Sequence, residues 1–505
     1  MGHPDTTSYW MDSQSLPAFS SLDRDLEVDV AVVGAGITGI TAAYLLKRAG
    51  RRVALIERRR LASIDTGHTT AHLTCVTDVP LSDLVERFGR DHAQAAWDAG
   101  LAAIAQIDEL VTRENIQCDL TWIPAYLHAP MDEARPDTEM LSAEARLAAE
   151  LGFDAEYVDQ VPFIERPGVR FEGQAIFHPR KYLRALLEAI PGDGSHVFEQ
   201  TSVEEVTDDP LSVACGPHRV RCGRVVLATH TPLVGRSSLV SATVFQTKLA
   251  LYTTYAMAGK IPHDVAPAGS YWDTADPYNY LRVERRHGFD LAILGGSDHK
   301  TGQAEDTSAC FGRLEKTIRR MFPQVDVTHR WSGQVIETHD GLPFIGETAD
   351  AQFAATGFSG NGMTFGTLAA MMACDWTLGR PNPWRDLFSP SRSGLRGGAW
   401  DYVRENKDYP YYLIRDRFAG VEGKSLRALG RGQGKILSLD GKRVAAFRDR
   451  AGAVTKLSPI CTHLGCLVDW NDAESTWDCP CHGSRFDPQG KVIAGPAESP
   501  LNRIG

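Results

Sequence analysis

Residues 28–33, VDVAVV, form a short valine-dominated run. A run of this kind suits a strand buried on both faces of a parallel sheet. Residues 38–49 read as a helix ending at Gly50, and RVALIE at 52–57 reads as a second strand closing on Glu57. Further along, 223–232 (GRVVLATHTP) is a strand running into Ala228 and Thr229, and 270–300 reads as strands and turns. Residues 356–366, TGFSGNGMTFG, form a glycine loop opening a helix. Residues 435–449 alternate and carry a D-G pair, which predicts a β-hairpin. The spaced glycines just before it, GRGQG at 430–434, therefore read as a turn. Between these regions, 381–409 is rich in Pro, Gly, Ser and charge, the composition of a linker, although its tryptophans and leucines suggest that it packs along a surface.

The chain has 505 residues, more than one ordinary core supports, with 43% hydrophobic and 23% charged residues. Its net charge of −11 suggests no nucleic-acid surface. No apolar run reaches the roughly eighteen residues of a membrane span. The polar start, MGHPDTTSYWMDSQSLPAF, lacks the build of a signal peptide, so a cytoplasmic protein is expected. Cys75, Cys118, Cys215, Cys222, Cys310 and Cys374 are scattered and read as reduced and structural.

The other four cysteines are concentrated. CTHLGC at 461–466 and CPCHGS at 479–484 bring four cysteines and two histidines together near the C-terminus. A tetrahedral zinc site uses Cys and His in separated pairs. A Rieske [2Fe-2S] site uses two cysteines on one iron and two histidines on the other. The single-residue gap in Cys461-x-His463 is tight for a zinc knuckle, and Cys466 and Cys481 are surplus to four ligands. A plain disulfide framework leaves the histidines unexplained.

Both boxes resemble those of the Rieske domains of cytochrome bc-type complexes, position for position. The resemblance covers roughly residues 410–505. It implies Cys461 and Cys479 on one iron, His463 and His482 on the other, and a disulfide between Cys466 and Cys481. It also implies a hydroxyl donor to the cluster at Ser484. Phe486 stands where many high-potential members carry tyrosine, so one donor is lost and a potential below the top of the range is expected.

At the other end, Gly34, Gly36 and Gly39 stand in G-x-G-x-x-G register between the first strand and the helix. With the second strand and Glu57, this is the context of a dinucleotide site: the glycines admit a pyrophosphate at the helix N-terminus, and the acid takes ribose hydroxyls. No second such unit appears, which counts against a self-contained NAD(P)H reductase. Together with 62–74, 223–232, ETHDGLPFIG at 337–346 and the glycine loop, the unit resembles the glycine oxidase/D-amino acid oxidase family over roughly residues 25–380. The resemblance implies FAD. It places Gly34, Gly36 and Gly39 on the pyrophosphate, Glu57 with Arg58 on the ribose side, and Val203 on the adenine. Thr69, Thr70, Ala228 and Thr229 line the cofactor, while Gly360, Gly362, Met363 and Thr364 set a helix N-terminus near the flavin carbonyl. The family's cysteine attachment position falls on Gly333, and His72 is read as an ordinary polar neighbour, so the flavin is expected to be non-covalent.

The expected fold is α/β plus β: a Rossmann-like FAD-binding domain with an inserted mixed-sheet substrate domain, then a small all-β Rieske domain. The implied division is an N-terminal extension at 1–24 and an oxidoreductase at 25–380. Within it, FAD-binding parts fall at about 25–90, 190–240 and 330–380, and substrate parts at about 91–189 and 241–329. The linker at 381–409 and the Rieske domain at 410–505 follow. Candidate catalytic residues are Thr364, Tyr278 and Tyr280 as an aromatic wall, and His339, beside Asp340. The family works largely by hydride transfer from a bound neutral amine, which needs positioning more than a base. The expected function is oxidation of an amine or amino acid, with the cluster relaying single electrons to an acceptor protein or quinone. Oxidation of a hydroxy acid, a non-catalytic electron carrier and a redox-sensing role for the Rieske domain are the alternatives.

Overall fold

The computed structural model describes residues 6–231, 249–304, 306–392, 422–423, 425–463, 466–481, 483–497 and 499–504. The valine run becomes the strand Val30–Val33, buried at all four positions. Val30 and Val32 enter one core with the helix residues Ile40 and Leu368, whereas Ala31 and Val33 enter another with Val213 and Val220. Two buried faces explain why the strand does not alternate. Its sheet has the order Phe344–Ala349, Gln352–Thr356, Arg224–Leu227, Val30–Val33, Val53–Ile56, His196–Phe198. The edge strand Phe344–Ala349 runs antiparallel to its neighbour, and the other pairings are parallel. The helix Ile37–Arg48 carries Lys47 and Arg48 in its last turn, where the helix dipole favours cations. The helix Gly362–Leu378 packs against it and against the long helix Arg90–Arg113. Gly366 permits the first contact, since a Cβ there would lie 2.7 Å from Ile37 Cγ2.

A second, nine-stranded sheet stands beside the first, with the long antiparallel strands Leu249–Ile261, Phe289–Lys300 and Asp326–Thr338 at one side. The 270–300 region supplies Gly269–Asp273, Tyr280–Arg286 and Phe289–Lys300 to it. The C-terminal unit consists of two small antiparallel sheets. Its hairpin pairs Gln433–Leu439 with Lys442–Arg448 through Asp440 and Gly441, both at positive φ (50° and 75°), as a two-residue turn of this type requires. Trp477 and Phe486 are fully buried in its core with Cys461, Cys466 and Cys479.

Two segments are more closely built into the body than their composition suggests. Ser8 caps the short helix Tyr9–Ser13, and the fully buried Trp10 donates from Nε1 to the Thr69 carbonyl at 2.7 Å. At the start of the linker, Phe388 is buried and its carbonyl accepts from the Ile345 N–H at 2.7 Å, while Arg392 pairs with Asp340. Residues 393–409, and 410–421 at the start of the Rieske region, lie outside the described residues. Among the described residues, no helix is long and apolar enough to cross a membrane.

Candidate functional site

The parallel sheet ends in a cavity of about 1400 Å³. Gly34 leaves the strand at φ +94°, and a Cβ there would overlap the Ala228 carbonyl. Gly39 does not line the cavity; a Cβ on it would overlap the Gly34 carbonyl, so it sets how closely helix and strand approach. Gly36 precedes the helix with no side-chain cap, and a Cβ there would lie 3.0 Å from Thr66 Oγ1. That hydroxyl accepts from the Ile37 N–H at 3.0 Å. Glu57 accepts from the Ala35 N–H at 2.9 Å and the Arg59 N–H at 2.8 Å, which orients it at the strand end. Arg58, Thr69, Thr70, Val203, Ala228, Thr229, Gly360, Gly362 and Met363 all line the same cavity. An uncapped helix start behind paired glycines, an oriented acid and a long cavity fit a bound dinucleotide such as FAD.

The segment 69–71 is held from outside the cavity. Fully buried Arg282 donates to the Thr70 and Ala71 carbonyls at 3.2 and 2.7 Å, and to Phe177 O and Glu284. Beyond this segment lies a chamber walled by Tyr278 and Tyr280, whose ring centroids are 5.6 Å apart. Tyr278 Oη donates to Asp78 at 3.2 Å, and Tyr280 Oη pairs with Thr254 Oγ1 at 2.6 Å. Asp78 also accepts from the Gly360 N–H at 2.6 Å. That donor, expected to face the flavin, is therefore engaged within the protein. Burial drives His72 down to about 3, with Arg282 adding to the fall, so its imidazole is neutral at ordinary pH.

Two candidate catalytic residues stand elsewhere. Thr364 is fully buried inside the helix Gly362–Leu378 and does not line the cavity. His339 stacks on Phe344 at 6.0 Å and does not line it either. Its neighbour Asp340 is taken up by Arg392, which donates to it at 2.7 and 2.8 Å. Burial works against the Asp340 charge, but the Arg392 hydrogen bonds and charge outweigh it and hold the carboxyl below its ordinary range. Adjacency in sequence suggested a catalytic pair; the strand end turns it into a structural anchor.

In the C-terminal unit, Cys461 and Cys479 are both 2% exposed, and Cys466 and Cys481 form a disulfide. The Cys479 sulfur lies within 4.8 Å of the Cys466 and Cys481 sulfurs, and since those two are bonded to each other, Cys479 is the thiol of that group that could bind a metal. Burial pushes His463 down to about 4, which leaves the neutral ring that metal ligation uses. His482 lies outside the described residues. Ser484 Oγ accepts from the Ala497 N–H at 3.1 Å, which leaves its O–H as a donor. Two buried thiols, a neutral imidazole and a free hydroxyl donor fit a [2Fe-2S] group.

The two sites meet. Gln334 lines the cavity and donates from Nε2 to the Gly483 carbonyl at 2.7 Å, inside the second cysteine box. Gln303 donates to the Pro480 carbonyl at 3.1 Å, and Arg58 and Arg59 donate to the Ile493 and Val492 carbonyls at 2.9 and 2.6 Å. Val492, Gly495, Ala497 and Pro500 of the C-terminal unit line the cavity itself. Sequence reading missed Asp78, Asp298 and Gln334 as cavity residues, because no local pattern marks them, and passed over Asn361 although it stands between Gly360 and Gly362 in the glycine loop. Trp10 carried one faint signal, an indole in an otherwise polar stretch.

Comparison with known proteins agrees with both halves. Residues 29–376 match the FAD dependent oxidoreductase (DAO) family and residues 423–504 the Rieske [2Fe-2S] domain. A Bacillus subtilis (strain 168) chain named as a Rieske 2Fe-2S iron-sulfur protein, YhfW, is 34% identical over 98% of this chain and 97% of its own. The cytochrome b6-f complex iron-sulfur subunit of Trichodesmium erythraeum (strain IMS101) is 33% identical over 31% of this chain and 78% of its own. Glycine oxidase from Geobacillus kaustophilus shares the fold, with a TM-score of 0.59 and 18% identity over 73% of this chain and 99% of its own. The chain belongs to the FAD dependent oxidoreductase family, carries a C-terminal Rieske domain, and takes FAD and a [2Fe-2S] cluster as its cofactors.

Proposed function

We propose that this oxidoreductase oxidises an amine or amino acid at a carbon–nitrogen bond and sends the electrons out singly through its Rieske domain, to an acceptor protein or a quinone. The observation that carries this reading is Gln334, one side chain that both lines the cavity and hydrogen-bonds the box holding Cys479. Bound FAD supplies a two-electron acceptor for hydride, and the cluster supplies a one-electron outlet. The chain's own residues supply position. Tyr278 and Tyr280 wall the donor chamber, and the start of the helix Gly362–Leu378 presents its positive dipole end to the cavity. Val492, Gly495, Ala497 and Pro500 wall the cavity where the C-terminal unit abuts it and so help to keep water out.

The test is anaerobic mixing of the purified holoprotein with a panel of amines and amino acids. The expected result is flavin bleaching followed by the electron-spin signal of a reduced Rieske cluster. Cys461→Ser should leave single-turnover flavin reduction largely intact and slow repeated turnover with a one-electron acceptor. A Cys461→Ser protein that turns over with that acceptor as fast as its parent would retire the relay. A panel in which nothing bleaches the flavin would favour an electron carrier loaded by another enzyme.

A further inference from the structure

The arginine and lysine side chains among the cavity's described lining residues, Arg58, Arg59, Arg60 and Lys491, all stand at its nucleotide end, interspersed there with Glu57, Glu204, Glu205 and Asp487. At the tyrosine end the lining carries Asp78, Asp298 and Glu337. His72 is neutral there. The nearby guanidinium of Arg282 does not line the chamber, and its donors are engaged by three carbonyls and Glu284. An amino acid's carboxylate would thus meet like charge with no cationic partner among the described residues, where such groups are ordinarily held by a guanidinium fork.

Unpartnered acceptors point the same way. Asn361 is 3% exposed and lines the chamber; its Nδ2 donates to the Thr74 and Val76 carbonyls at 3.3 and 2.8 Å, which fixes its orientation, and its Oδ1 has no partner. Asp298 Oδ1 is likewise sealed from solvent and without a partner. Buried acceptors left unmade are costly, and what satisfies them is a donor. Burial pushes Asp298 up to about 7 against a Thr254 hydrogen bond, with the charge of Asp78 adding to the rise. A positive ligand is the partner that restores its charged form.

Resting on the reading that the cavity oxidises an amine or amino acid, we infer that the substrate is an amine with no carboxylate that arrives as its cation, is held at its nitrogen by Asp298 and the Asn361 carbonyl oxygen, and passes one nitrogen proton to the Asp298 carboxylate so that the neutral amine can give up its hydride. The probes are n-pentylamine and norleucine, identical but for the carboxylate. Binding to the anaerobic holoprotein is read by calorimetry, and flavin bleaching is read separately. n-Pentylamine should bind at least about tenfold more tightly, and Asp298→Asn should cut its affinity about tenfold while leaving that of 1-pentanol unchanged. Norleucine binding as tightly, with bleaching, would overturn the carboxylate-free class and leave amino-acid oxidation standing. Neither probe binding nor bleaching would overturn both. The wild-type ligand comparison needs no variant, so the inference stays testable if Asp298→Asn does not fold.

Discussion

The cluster loops draw on residues 461–484, whereas the wall of the flavin cavity is drawn from Val33 through Pro500. The first is tied together from within. Cys461 N–H donates to Cys466 O at 2.8 Å, Cys479 N–H to Ser484 O at 2.8 Å, Gly483 N–H to Cys479 O at 2.9 Å, and a disulfide joins the two loops. The second has no such local closure. It exists only where a parallel sheet, a long antiparallel sheet and the edge of the C-terminal unit come together. A locally closed site should tolerate distant damage, and a distributed one should report it. The relation is also unequal, because the C-terminal unit forms part of the flavin cavity, while the bonds that close the cluster loops lie within those loops.

The hardest blow to that contrast is Gly36→Val. A branched side chain at the helix start would displace Thr66 from the Ile37 N–H and fill the place of a diphosphate. Bound flavin should fall to near zero, measured by absorbance after acid precipitation, which also tests the non-covalent expectation. Iron and acid-labile sulfide should stay at two each per chain. Loss of iron together with flavin would show that the two housings do not stand independently.

Next in size is Arg392→Met, which lies outside the cavity lining. It leaves Asp340 buried without its cation, at a cost of roughly 3–5 kcal/mol. The damage should reach the flavin first and the cluster last. Its pH signature is specific. The folded carboxyl of Asp340 is held below its ordinary value, so its contribution to stability is present above about pH 4 and is lost as pH falls through the lower folded value. Thermal denaturation of the parent should therefore lose stability below pH 4 more steeply than that of the variant. Parallel curves would remove Asp340 from the account.

Legibility in the sequence follows the same division. The cysteine boxes, the glycine unit and the D-G hairpin each lie within a few dozen residues, where spacing alone carries chemistry. The valine strand was readable because both its faces are buried. What stayed hidden is made by contacts across the chain: Tyr278 meets Asp78 over a separation of 200 residues, and Trp10 meets Thr69 over 59. His339 and Asp340 misled for the converse reason. They are neighbours in sequence, but one stacks on Phe344 and the other binds Arg392.

A gentler change tests the joint between the two regions. Gly302 sits at φ +79°, and a Cβ there would lie 2.6 Å from Pro480 N. Gly302→Ala should cost roughly 1–3 kcal/mol through backbone strain and the close contact. Borne by the docked arrangement, that is about a 5- to 150-fold shift in its population. Neither cofactor should be lost, and substrate should bleach the flavin at the parent rate. Rapid-mixing spectroscopy should show slower appearance of the reduced cluster. An unchanged rate of cluster reduction would mean that this contact does not govern the relay.

The smallest expected effect is at Ser484, where the local housing touches the distributed one. Its hydroxyl oxygen accepts from the N–H of Ala497, a residue of the cavity lining, which leaves its proton to donate elsewhere. Ser484→Ala removes the bond to Ala497 and, on the resemblance to Rieske domains, a donor to the cluster. The Ala497 N–H is orphaned in a buried place, at about 1–3 kcal/mol. The cluster loses a donor, and hydrogen bonds to cluster sulfurs stabilise the reduced, more negative form, so the reduction potential should fall. Redox titration monitored by the cluster's spin signal reads the second effect, and thermal denaturation reads the first. Ser484→Thr separates them from a general packing defect, since threonine keeps the hydroxyl: it should restore the potential even if its extra methyl costs stability. A potential that drops equally in the alanine and threonine variants would show that the hydroxyl is not the cause. A potential that does not move in either would leave Ser484 as a brace between the cluster loop and the flavin cavity, with no part in tuning the cluster.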